Sequence, residues 1–216
     1  MKTTASVIQS WAWISSALLV CVLLFPLLPG RFAGAVVEDE SGVPLIVFAV
    51  LVVVAVSVLS SMSLWVEGLL IRVGFLCPLS LEGSPAWLRA LCVRRAQEVL
   101  RVQLEDCPGS ARALFDVMVS TVAERSRSAK VDELQARLAL HRMVFTILGL
   151  AFIVYPLARP HPLTDTVTFA LGQRLAVSAA CLVVGSASLF RMRAEREALR
   201  SEVAYRFIAL TGDRAG

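Results

Sequence analysis

Few residues in this chain are placed to do chemistry, and their spacing limits what they could do. The two histidines, His141 and His161, are separated by the apolar run Met143–Ala158, so they cannot share a site if that run crosses a bilayer. His161 lies in "RPHPLTD" beside Asp165, where a solvated loop pair is the ordinary reading. The adjacent carboxylates Glu105-Asp106 and Asp132-Glu133, and the Glu38–Glu40 cluster, all sit among polar neighbours. Cys77, Cys92 and Cys107 are 15 residues apart with no C-x-x-C pair, whereas zinc sites use close-paired ligands. No phosphate-binding glycine loop and no nucleophile elbow occurs. The expectation is a non-enzymatic chain with no catalytic residue, no cofactor and no metal.

One polar row stands out. Ser57, Ser60, Ser61 and Glu67 fall at offsets 0, 3, 4 and 10, roughly one face of a helix, with Leu64 interrupting it. In an apolar helix such a face should point into protein or toward water. It could line a pore, with Glu67 forming a charged ring at the mouth of an oligomer. The plainer alternative is that the serines bond to their own backbone and let helices approach closely.

The elements that must carry these residues are apolar helices. Hydrophobic residues make up 57% of the 216 and charged ones only 18%, against about half and a quarter in a soluble domain. Four runs approach or exceed the roughly 20 residues that cross a bilayer: Trp11–Leu28, Val43–Leu64, Met143–Ala158 and Leu175–Phe190. The last two are short and need His141, Arg142, Arg174 and Arg191 to snorkel toward the headgroups. Lys2, the first apolar run and "GRFAGA" resemble a secretory signal cleaved after Ala35, but the run is long for one, so a retained span is expected.

Of the 21 Lys and Arg, 18 fall before span 1, between Arg72 and Arg142, or from Arg191 onward; Arg31, Arg159 and Arg174 are the other three. This bias places both termini and the middle loop on the cytoplasmic side; the membrane expected is the plasma membrane, that is, a bacterial inner membrane. The net charge of +4 is therefore a topology signal, and no direct nucleic-acid partner is expected. Pro44–Leu64 is 21 residues, about 31 Å of helix, so the bilayer is crossed before Trp65 and Glu67 falls at the cytoplasmic headgroup level.

Outside the spans the pattern stays helical. Ser84 and Pro85 suit an N-cap and first turn, and Cys107-Pro108-Gly109 a stop. A second helix begins near Ser110, Ser126 and Ser128 mark the best break, and a stem then leads into span 3. In span 4, Ala176 with Ala180 and Cys181 with Gly185 are small-xxx-small pairs, a helix-packing surface. Leu199, Val203, Phe207 and Leu210 share one face of the tail helix and require an apolar partner.

The expected organisation is an all-α polytopic membrane protein: a first transmembrane pair (1–71), a cytoplasmic helical insertion (72–140), a second transmembrane pair (141–191) and an amphipathic tail (192–216), the insertion and tail forming a cytoplasmic bundle. Stator-type proton channels share this layout, but span 3 has no carboxylate and no motif carries the likeness, so no family is assigned. The partners expected are the lipid bilayer, other copies of the chain and a soluble cytoplasmic protein. The function expected is a sensor, scaffold or assembly subunit, with an ion-conducting or membrane-permeabilising oligomer as the alternative.

Overall fold

A computed structural model describes residues 4–24, 35–36, 42–100, 110–126, 129–157 and 171–212. Among them there are six α-helices and no strand: α1 (Thr4–Leu24), α2 (Val43–Arg72), α3 (Ala86–Leu100), α4 (Ser110–Ser126), α5 (Ala129–Leu157) and α6 (Leu171–Gly212). A short 3-10 turn, Leu81–Gly83, precedes α3 and packs against α4.

The helix ends follow local chemistry. Ser80 accepts from the Glu82 amide to start the 3-10 turn, and the Pro85 carbonyl takes the Leu88 and Arg89 amides at the start of α3. Helix α2 runs past Trp65 and Glu67 and ends at Arg72, where Gly74 takes a positive φ of 83° that other residues rarely adopt. The Cys107-Pro108-Gly109 stop lies outside the described residues. Helix α6 is unbroken for 42 residues and ends at Gly212.

Helices α2, α5 and α6 are long and apolar enough to cross a membrane, which points to membrane association. Helix α1 is not among them: its apolar stretch within the described residues is the shorter Trp13–Leu23, and Phe25–Leu28 of the expected first span lies outside those residues. Three candidate spans therefore stand where the sequence suggested four.

The chain divides into two compact units. The apolar unit comprises Gln9–Leu69 and Ala139–Met192; the other comprises Met1–Ile8, Leu70–Leu138 and Arg193–Gly216 and holds 16 of the 21 Lys and Arg. We call the second the arginine-rich unit.

In the apolar unit, Val20 of α1, Val52 and Val56 of α2, and Met143 and Ile147 of α5 form one buried cluster. Leu148, Ala151 and Tyr155 of α5 form a second with Cys181 of α6. A lipid-embedded helix pair gains nothing from hiding apolar surface, so close contact and hydrogen bonds must hold it. Both are present. Tyr155 donates its hydroxyl proton to the Leu23 carbonyl (3.0 Å), and Ser178 donates to the Phe152 carbonyl (2.7 Å). A Cβ on Gly185 would stand 3.7 Å from the Leu148 Cβ, so the bare glycine marks the α5–α6 approach.

In the arginine-rich unit the core draws on α3, α4, α5 and α6. Leu88, Cys92 and Ala96 of α3, Leu114, Phe115, Met118 and Val122 of α4, and Val131, Leu134 and Leu138 of α5 are buried. So are Leu199, Val203 and Phe207 of α6. Lys130 of α5 and Arg206 both reach the Glu202 carboxylate at 2.7 Å.

Candidate functional site

Glu67 and Arg142 meet inside the apolar unit. The Arg142 Nη1 donates to Glu67 Oε2 at 2.8 Å, and its Nε donates to the Ser63 hydroxyl oxygen at 3.2 Å. Ser63 passes its own proton to the Ser60 carbonyl at 2.7 Å. The side chains of Glu67 and Arg142 are only 13% and 19% exposed. Thr146, one turn further along α5, donates to the Arg142 carbonyl at 3.0 Å.

The positioning is elementary helix geometry. Ser63 and Glu67 are four residues apart, so they stand one above the other on α2, facing α5. Arg142 sits where the polar beginning of α5 gives way to its apolar remainder, so its long stem can reach across. A planar guanidinium offers donors along two edges, and here it uses one for the carboxylate and one for the hydroxyl.

This splits the polar row expected on α2. Taking 100° per residue, Ser63 lies about 40° from Glu67, whereas Ser57 and Ser61 lie about 80° and 120° away. Ser57 and Ser61 are exposed, and their hydroxyls donate to the Val53 and Ser57 carbonyls at 2.8 and 3.3 Å. Ser60 is half-buried between the two sets. Ser63 and Arg142 were thus missed as site residues. The i,i+4 spacing of Ser63 from Glu67 was a readable signal; the docking of Arg142 was not.

The small residues of α6 also divide. Cys181 and Gly185 are buried on the α5 side, while Ala176 and Ala180 are exposed. On the tail, Leu199, Val203 and Phe207 are buried within the single chain and Leu210 is half-buried. Most of that face is thus covered within the chain.

Two arginines counted only toward topology have a structural place as well. Arg196 and Arg200, 3% and 7% exposed, donate to the Cys77 and Pro78 carbonyls at 3.0 and 3.4 Å. They tie the segment after α2 to α6 within the arginine-rich unit. The Arg200 Nε is buried without a hydrogen-bond partner.

Chemically, the Glu67–Arg142 site holds two opposite charges in mutual contact, with a hydroxyl accepting from the guanidinium. Among the described residues no group of three or more His, Cys, Asp or Glu is arranged to hold a metal ion. His161 and Asp165 lie outside the described residues. No protein-family model, curated protein or solved structure matches this chain.

Proposed function

We propose that this chain is a non-enzymatic integral membrane subunit, a sensor, scaffold or assembly component, whose arginine-rich unit engages a soluble cytoplasmic partner. In this reading α1 is a fourth span, both termini face the cytoplasm of a bacterial inner membrane, and copies of the chain associate. The observation that carries it is the continuity of α6. One unbroken 42-residue helix contributes its apolar part to one unit and its polar part to the other. A helix without a hinge passes a shift or rotation along its length, which is what a membrane signalling or assembly element requires. Because Leu199, Val203 and Phe207 are buried, partner contact falls to exposed residues such as Trp87 and Tyr205.

Purification in a mild detergent tests the proposal. The expected result is a multimer, or a retained soluble protein that is lost on Trp87→Ala or Tyr205→Ala. A monomer with nothing bound would count decisively against it.

The second reading is an oligomeric ion channel or permeabilising assembly; of the Ser57/Ser60/Glu67 face expected to line it, the serine side of α2 is left for the lining, since Glu67 turns to Arg142. Its support is that only 11% of the apolar window of α2 is buried, leaving Ser57 and Ser61 available to other copies. Flux from liposomes should then change in Ser57→Leu and Ser60→Leu; unchanged flux in both removes this reading.

A further inference from the structure

Arg200 is a buried cation whose charge no acid among the described residues balances. It stands on α6 one turn beyond Arg196, and it is only 7% exposed. Burying a charge is costly unless an opposite charge and hydrogen bonds accompany it. The acids beside it on α6 are committed elsewhere. Glu195 faces Arg137 of α5 at 3.9 Å, Glu197 faces Arg193 at 3.9 Å, and Glu202 holds Lys130 and Arg206 at 2.7 Å. Glu82 of the 3-10 turn is exposed and joins no ion pair among the described residues.

What Arg200 does touch is a neutral carbonyl. Its Nη2 donates to the Pro78 oxygen at 3.4 Å, longer than the roughly 2.7–3.2 Å of an ordinary N–H···O bond. That oxygen already takes the Ser80 amide at 2.9 Å. The Arg200 Nε is buried with no partner at all. Ser80 is 3% exposed, and its hydroxyl accepts from the Glu82 amide while donating to no described residue. Two buried groups with donors to spare, one of them charged, thus meet at the Pro78 carbonyl. Cys77 and Pro78 are themselves exposed, so this place lies just beneath the surface of the arginine-rich unit. Such a place suits an oxyanion. A phosphate group brings the missing charge and several acceptor oxygens, and a planar guanidinium takes two of them side by side.

We propose that Arg200 and Ser80 bind a phosphate group, which neutralises this corner of the arginine-rich unit. The site needs no protein partner. Arg200 is ten residues beyond Phe190, the end of the apolar run, or about 15 Å along α6. A headgroup layer is roughly 5–8 Å deep on each side of the hydrocarbon, so a soluble phosphate is favoured over a lipid headgroup. The test melts the full chain, purified in detergent without phosphate, after adding sodium phosphate, sodium chloride of equal ionic strength, or phosphatidylglycerol. Phosphate should raise the native melting temperature by several degrees, and chloride should not. A shift with phosphatidylglycerol alone, lost in Arg200→Met, would keep the site and assign its phosphate to a headgroup. Arg200→Met should abolish the phosphate shift and, without phosphate, melt no earlier than the native chain, because it removes a stranded charge. Arg94→Met, whose side chain is 79% exposed on α3, should keep the native shift. Ser80→Ala should weaken phosphate binding about tenfold by titration calorimetry, as expected for one lost hydrogen bond to a charged group. Native affinity in Ser80→Ala, no shift from either phosphate source, or an equal shift in Arg200→Met would overturn the proposal. Earlier melting of Arg200→Met with no phosphate shift in the native chain would reduce Arg200 to a cap on the Pro78 carbonyl, and overturn it too.

Discussion

At the scale of single residues, the Glu67–Arg142 contact carries the sharpest consequences. Removing one partner of this half-buried pair strands the other charge, at a cost of up to the roughly 3–5 kcal/mol of a fully buried pair. Glu67→Gln should therefore lower the unfolding free energy by about 3 kcal/mol, read as an earlier thermal transition in detergent. Ser63→Ala, which loses one hydrogen bond to a charged donor, should cost about 1.5–3 kcal/mol. If both variants melt with the native chain, the pair is not held as described. The cysteines offer a second check. Cys77 is exposed, while burial pushes the Cys92 thiol up to about 11 from 9.0. Alkylation proceeds through the thiolate. In chains keeping one of the two, a maleimide at pH 8 should label Cys77 in the native state and Cys92 only after denaturation.

At the scale of elements, the α5–α6 contact turns on Gly185. Its added Cβ would meet Leu148 at an ordinary contact distance of 3.7 Å, so alanine fits. Glycine inside a helix is about 1 kcal/mol worse than alanine. Gly185→Ala should be neutral or stabilising by up to about 1 kcal/mol, whereas Gly185→Leu should overpack and cost about 1–3 kcal/mol. Ala176→Leu, on the exposed side, should be tolerated. Equal effects of leucine at 176 and 185 would contradict this packing. In the arginine-rich unit, α5 and α6 are joined at Glu202, whose carboxyl is held below its ordinary 4.5 by hydrogen bonds from Lys130 and then Arg206, against a smaller opposing effect of burial. A carboxyl depressed on folding contributes stability that is full above pH 4.5 and is lost as the pH falls below it toward the lowered value. Lys130 is 62% exposed, so solvent screens the contribution and keeps it small. Glu202→Gln should flatten this part of the acid unfolding profile and leave the neutral-pH fold intact. A profile unchanged by the substitution would remove Glu202 as its source.

At the scale of the molecule, the sorting of charge is the governing fact. The arginine-rich unit holds 16 of the 21 basic residues, and three helices carry apolar stretches long enough to cross a bilayer. A tag inserted near residue 110 should accordingly be reached by an impermeant reagent only after cells are opened. Labelling in intact cells would reverse the proposed orientation. The division of the fold falls after Ile8, Leu69, Leu138 and Met192. Apolar and charged stretches separate along the chain because a charge inside hydrocarbon is costly.

Helical periodicity, apolar run length, and the punctuation by proline, glycine and serine were legible from the residues alone, because each is a local property of a few neighbouring positions. The all-helical fold with apolar helices of membrane length follows from them. The tertiary structure alone decided which side of each helix meets which. It turned Ser63 and Glu67 toward Arg142 and left Ser57 and Ser61 outside; it buried Cys181 and Gly185 but not Ala176 and Ala180; it covered Leu199, Val203 and Phe207 within the chain. The physical reason is that in an apolar helix nearly every face satisfies the hydrophobic pattern. The choice among faces then rests on small residues and single hydrogen bonds, whose partners lie as many as 132 positions away in the chain.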